Sequence, residues 1–249
     1  MSPGTNDSRR RLLEYLDHLE RDPGFDARPR PGDPVVRRLG KHLVPQRFRL
    51  ASRLVATRAR SSRARRRAAA LASFRPLRLH LASGPVVKPG WVNVDLAGDA
   101  VELEWDLTTP LPFADATVDA IFHEHFLEHL RLADGYRLTL ECHRVLSPGG
   151  VLRLGVPDGD NPQAAWPAAP TRTLALQEFF RDPGHRTLYD LETLELMLGA
   201  AGFEDVARRP FGESRLDPCP DSEHRRAETL YVEAIKRGAR GASPASPRR

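Results

Sequence analysis

Between residues 76 and 237, short β-rich runs alternate with helical stretches, and this alternation restricts the fold more than any other feature of the chain. RLHLA (78–82), WVNVD (91–95), VELEW (101–105), VDAIFHE (118–124) and VLRLGVP (151–157) are each bounded by Gly, Pro or Asp, as strands are. The last two flank a helical segment, Asp134 to Leu146, in which Leu138, Leu140, Val145 and Leu146 supply an apolar face. Leu191 to Ala201 is a second helix, capped by Asp190, carrying Glu192 in its first turn and stopping at Gly202. FEDVARR (203–209) and TLYVEAIKR (229–237) read as two further strands. Strands and helices in alternation predict an α/β sheet with helices on its faces.

The flanks differ in kind. Leu12, Leu13, Leu16 and Leu19 predict a short amphipathic helix over Ser8 to Asp22, followed by a Pro/Gly-rich loop at 23–34. From Val35 to Phe74 a broken apolar stripe, interrupted at Pro45, predicts further helices. The tail at 238–249, GARGASPASPRR, has nothing to pack and is expected to be disordered. The resulting division is a basic helical extension at 1–75, an α/β domain at 76–237 and the tail.

Charge sharpens that division. Residues 1–75 hold 19 Lys and Arg against 7 Asp and Glu, a balance of +12, whereas the remainder carries −7 within the overall +5. No acidic residue occurs between Asp33 and Asp95. Such a block suits nucleic acid, anionic lipid or a phosphorylated ligand, and equally a solvated basic face. Of 38 basic residues only Lys41, Lys88 and Lys236 are Lys, a skew that points to a high-GC bacterial source. No apolar run has the length of a membrane span, and the N-terminus lacks a signal-peptide pattern. Two cysteines, Cys142 and Cys219, make no disulfide framework and read as reduced thiols of a cytoplasmic protein.

Ligands of open α/β sheets sit beyond the carboxyl ends of the strands. The first strand ends in Ala82-Ser83-Gly84-Pro85, a small-residue turn that lets a ligand approach backbone N–H groups. The second ends in Asp95, placed to accept from both hydroxyls of a ribose; the third runs into Asp106-Leu107; the fourth ends in His123-Glu124-His125. Singly each is a turn, a cap or a solvated terminus. In sheet order they describe one nucleoside-binding crevice.

Three segments, LHLASGPVVKPGWVNVD (79–95), DLTTPLPFADATVDAIFHEHFLEHL (106–130) and ECHRVLSPGGVLRLGVPD (141–158), resemble the class I S-adenosylmethionine-dependent methyltransferases, in particular a type 11-like bacterial group. The resemblance covers 78–158 and continues more weakly through 185–206 and 230–237. It implies a Rossmann-like, seven-stranded sheet, mostly parallel with an antiparallel last strand, and S-adenosyl-L-methionine as cofactor. By the same resemblance Ala82, Ser83 and Gly84 form the loop facing the methionine part, Asp95 takes the ribose and Asp106 the adenine amino group. Leu107 lies beside the ring, and His123, Glu124 and His125 border the sulfonium and the acceptor. Ser147 to Gly150 form a structural turn.

The implied reaction is methyl transfer to a small-molecule or glycan acceptor. His123 and His125 are the candidate general bases and Glu124 the second choice. Strand alternation turns 123 and 125 one way and 124 the other. Asp158, His185 and Tyr189 are candidates for the acceptor side, and Glu128 with His129 for a structural hydrogen bond. His125-Phe-Leu-Glu128-His129 also spells H-x-x-E-H, the inverted zincin signature, but its flanks are those of methyltransferases, and no metal is expected.

Two departures from the family pattern bear on cofactor affinity. Ala82 stands where the family has its first loop glycine, and only eight residues, 83–90, join the first two strands, too few for a crossover helix. If Ala82 is unstrained, Ala82→Gly should cost a little stability. A rival reading follows from Ala82 and the arginine block: a catalytically degenerate binding protein, held by its basic arm on nucleic acid or at the inner membrane face. No nucleic-acid-recognition motif supports the first of these surfaces, which leaves peripheral contact with anionic lipid.

Overall fold

The structure, a computed structural model, describes residue 14 and residues 46–98, 100–182 and 184–238. The helix expected at Ser8 to Asp22, the loop at 23–34 and the tail beyond Gly238 lie outside these residues, Glu14 apart. In chain order the elements are α1 (Gln46–Ala59), α2 (Ser61–Leu71), β1 (Arg78–Leu81), β2 (Val92–Asp95), β3 (Leu103–Glu104) and β4 (Val118–Glu124), then α3 (Leu132–Val145), β5 (Leu146–Pro157), α4 (Pro162–Ala165), α5 (Arg172–Arg181), α6 (Leu191–Ala200), β6 (Glu204–Arg208) and β7 (Thr229–Ile235).

The strands form one seven-stranded sheet in the order β3-β2-β1-β4-β5-β7-β6. All pairings are parallel except those of β7, which runs antiparallel to β5 and β6. Strand order therefore reverses between β1 and β4, where the crevice of such a sheet opens. Asp190 caps α6 as anticipated, its Oδ1 accepting from Thr193 N at 2.8 Å.

The two faces of the sheet are covered differently. On one, Leu79, Leu81, Val94, Ile121, Leu154 and Val232 pack against Leu138, Cys142 and Val145 of α3 and Leu194 and Leu198 of α6. Ala64, Ala68 and Leu71 of α2 join the same core. The other face does not carry the expected helices. The link 83–90 makes only turns, and 105–117 is broken by Pro110 and Pro112, so neither connection builds a helix. The chain between β6 and β7 covers that face instead, closing Leu216 over Trp91, Ala120, Phe122 and Val151.

A buried ionic group lies under this cover. Arg153 on β5 donates from Nε to Asp221 Oδ1 at 2.6 Å and from its terminal nitrogens to Asp221 Oδ2 at 2.5 Å and to Glu233 Oε1 at 3.2 Å. None of the three side chains exposes more than 1% of its surface. The Glu213 and Pro210 carbonyls accept from the same guanidinium, and Ser214 donates to Glu233, so the group is hydrogen-bonded on every side.

Candidate active site

The loop after β1 is built on a left-handed residue. Ala82 has φ 53° and Gly84 φ 54°. Ala82 therefore adopts a conformation in which its Cβ is strained, and Gly would be at ease. This reverses the sign expected for an unstrained alanine. Ala82→Gly is predicted to raise stability by about 1 kcal/mol, read as a higher thermal midpoint, because relief of the left-handed strain outweighs the added freedom of the unfolded chain. Ala82→Val, with a β-branched side chain at the same φ, should lower the midpoint and cost cofactor affinity.

Asp95 closes this loop from β2. Its Oδ2 accepts from Gly84 N at 2.8 Å and its Oδ1 from Leu96 N at 2.6 Å. Each carboxylate oxygen keeps lone-pair capacity toward a ligand hydroxyl. A Cβ placed on Gly84 would meet nothing within 4 Å, so the loop borders open space. A half-exposed carboxylate beside an open backbone turn is a donor and acceptor set that fits the ribose and methionine ends of S-adenosylmethionine.

Asp106 is less open. It is buried, and its Oδ1 already accepts from Thr108 N at 3.0 Å and Thr108 Oγ1 at 2.6 Å, while Oδ2 accepts from Arg58 Nε at 2.8 Å. Arg58 belongs to α1, which crosses the carboxyl ends of β2 and β3. Thr57 Oγ1 donates to the Leu96 carbonyl at 2.8 Å, Arg60 pairs with Glu104 at 3.1 Å, and Arg65 of α2 lies 5.3 Å from the Trp105 ring centroid. Thr57, Arg58, Ser61, Arg65, Trp105, Asp106 and Thr109 line a pocket there. Three arginines of the basic block are thus bound to the domain itself. Leu107 is buried in the main core.

The end of β4 divides as alternation requires. Glu124 turns to the loop-covered face, accepting from Tyr231 OH at 2.6 Å and Ser222 N at 3.2 Å. His123 is buried edge-on to Phe126, and its Nδ1 has no hydrogen-bond partner. Burial lowers its pKa to about 3. His125 leaves the strand at φ 50°, its Nε2 2.8 Å from Thr229 Oγ1, and burial brings its pKa down to about 4. Both rings are neutral near pH 7 but too weakly basic to hold a proton there, which weakens the expected general-base role.

The other acceptor-side candidates separate. Asp158 is taken up by Arg208 at 2.9 Å and by Asp160 N at 3.0 Å. At Glu128 the structural hydrogen bonds are made by the backbone, its carbonyl accepting from Arg186 N at 2.7 Å; the side chain stands 4.0 Å from His129, and both oxygens of the buried carboxylate lack hydrogen-bond partners. His185 lies with this pair, its ring centroid 4.9 Å from that of His129, and the Tyr189 hydroxyl is buried without a partner. The sequence reading missed Arg58 as a partner of Asp106. An arginine separated from an aspartate by 48 positions leaves no local pattern to read.

Burial of histidine in the sheet has a consequence in acid. On β1, His80 lies with Nδ1 2.9 Å from Asn93 Oδ1, and burial lowers its pKa to about 4. Since His80 and His123 titrate near 6.5 when unfolded, their contribution to stability is complete above that pH and is lost as pH falls from 6.5 through 4. Together they should remove up to about 2.7 kcal/mol per pH unit across this window. Denaturant titrations at pH 7 and pH 5 check the slope, to which the buried His125 adds, and which His123→Leu should reduce by up to about 1.4 kcal/mol per pH unit.

Residues 92–154 match the family model described as a methyltransferase domain. Among solved structures the chain is similar to a SAM-dependent methyltransferase from Archaeoglobus fulgidus, at 19% identity over 77% of this chain and 100% of that one, with a TM-score of 0.49. It is also similar to a Haemonchus contortus phosphoethanolamine N-methyltransferase 2 in complex with S-adenosyl-L-methionine, at 12% identity over 65% of this chain and 49% of that one, TM-score 0.40. No curated protein matches the sequence. The matched segment and the seven-stranded order around it lead to one conclusion: residues 92–154 are those of a methyltransferase domain, set in a Rossmann-like α/β sheet.

Proposed function

We propose that the domain, spanning about 76–237 with the preceding helices as a cover, transfers a methyl group to a small-molecule or glycan acceptor in the cytoplasm. The observation that carries this reading is the junction of Asp95 with the Ala82–Gly84 loop at the reversal of strand order. Asp95 holds the ribose hydroxyls and the loop N–H groups face the methionine end. Asp106, held in place by Arg58, offers the remaining lone pair of Oδ2 to the adenine amino group. The cofactor supplies an electrophilic methyl and its own leaving group. The protein's part is therefore alignment, worth far more here than proton transfer through either weakly basic histidine. His123, with its unpartnered Nδ1, orients a polar group at the end of β4.

The left-handed Ala82 favours the enzyme over the degenerate binding protein, because the loop keeps a glycine-like turn without glycine. Membrane attachment has narrower support: among the described residues no helix is long and apolar enough to cross a membrane, and Arg58 and Arg60 are engaged within the fold. Incubating the protein with methyl-labelled S-adenosylmethionine and fractionated bacterial metabolites and glycans tests the reading. Label should appear in a small-molecule or glycan fraction. Label confined to protein or nucleic acid, or cofactor binding with no transfer to any fraction, would overturn it.

A further inference from the structure

Just beyond the end of β4 lies a second polar cluster, none of whose residues hydrogen-bonds to Asp95. Glu128 exposes 1% of its surface, and neither carboxylate oxygen has a hydrogen-bond partner. A buried carboxylate left unpaired is among the costliest groups in a fold and calls for a counter-charge. The groups facing it are ligand nitrogens. His125 Nδ1 is 3.4 Å from Glu128 Oε1 and His129 Nε2 is 4.0 Å from the same atom. One ligand atom each from Glu128, His129 and His185 lies within 4.8 Å of the other two.

The orientation of His185 is fixed from behind. Its Nδ1 lies 2.8 Å from the Phe179 carbonyl, an acceptor only, so the proton is on Nδ1 and the Nε2 lone pair is free. Metal-binding imidazoles are set in this way by a carbonyl on the opposite nitrogen. Asp182 Oδ2 lies 3.7 Å from His185 Nε2 and adds a second negative charge beside the cluster. The backbone ties the two segments together, since Arg186 N donates to the Glu128 carbonyl at 2.7 Å.

We propose that Glu128, His129 and His185 bind a divalent transition-metal ion of the zinc class, leaving one coordination position for water or an external ligand. Two imidazoles and one carboxylate suit zinc, cobalt or nickel better than magnesium or calcium, which prefer oxygen donors throughout. Tetrahedral zinc holds its ligand atoms about 3.4 Å apart, so small side-chain rotations close the observed spread. Because 39% of the His129 side chain is exposed, a fourth ligand reaches the ion from solvent. The ligand set differs from the H-x-x-E-H reading. His125 has its Nε2 engaged by Thr229, and the third ligand comes from the segment after α5.

The test uses the full chain, stripped with chelator and titrated with Zn2+ and with Co2+. One equivalent of zinc should bind, and cobalt should give the intense visible absorption of a four-coordinate site. Glu128→Gln, His129→Gln and His185→Gln should each weaken binding by about 10-fold or more and lose the cobalt bands. Circular dichroism on the partly exposed His129→Gln establishes that the fold survives. If the wild type takes up no zinc, or His129→Gln and at least one other variant bind it as tightly as the wild type, the proposal is wrong. Neither readout depends on methyl transfer, so failure here leaves the proposed reaction standing, and failure to find an acceptor leaves this site standing.

Discussion

Asp95→Ala should abolish measurable S-adenosylmethionine binding in calorimetry while the protein stays folded. Two hydrogen bonds from ribose hydroxyls to a carboxylate, at about 1.5–3 kcal/mol each, amount to at least a 100-fold loss of affinity. The substitution also releases Gly84 N and Leu96 N, which Asp95 holds at 2.8 and 2.6 Å, so the loop loses its tether when the ligand loses its acceptor. Asp95→Asn keeps an acceptor oxygen and should bind about 10-fold more weakly, through the lost charge. Wild-type affinity in Asp95→Ala would move the nucleoside away from the end of β2. Asp106→Ala makes a useful contrast, because it also frees Arg58 and should lower the thermal midpoint as well as the affinity.

Arg153→Met should cost about 3–5 kcal/mol of folding free energy, enough to leave a marginal domain largely unfolded at 37 °C. The guanidinium is fully buried between Asp221 and Glu233, and methionine fills its space but leaves Asp221 without its ion pair and Glu233 with Arg209 alone, 3.8 Å away. Burying charges stripped of their close partner costs more than the ion pair itself contributes. The triple variant Arg153→Met, Asp221→Leu, Glu233→Leu should recover most of the loss, since an apolar group of similar volume has no charge to satisfy. Denaturant midpoints for the single and triple variants check both statements. A single variant within about 1 kcal/mol of wild type would show that water reaches the group.

The strand runs were legible because each is short, β-rich and punctuated; VDAIFHE matches β4 residue for residue. VELEW shrank to Leu103–Glu104 because alternation marks a strand, whereas its length depends on neighbours, and β3 is an edge with β2 alone beside it. The absent crossover helix after β1 followed from counting eight residues. What covered the exposed face did not, because Leu216 and Asp221 lie in a stretch with no periodicity. Helix α5 was overlooked for a similar reason: its buried residues, Ala175, Glu178 and Phe179, include a charge where a stripe would be apolar. Among candidate site residues, Asp95 and Glu124 were placed by strand position alone. The weak basicity of His123 came from burial, which the residue type does not reveal.

The cover over the second face sets the order in which the chain can be completed during synthesis. Phe122 and Arg153 leave the ribosome well before the residues that seal them, Leu216, Asp221 and Glu233. Until then β4 and β5 present one apolar face and an unmatched cation to solvent. Contacts across so long a stretch of chain are slow to form, and an unsealed sheet invites association with other chains. Nascent protein stalled before residue 216 should therefore be held by chaperones, and a C-terminal truncation there should be found in inclusion bodies rather than as a smaller, working enzyme.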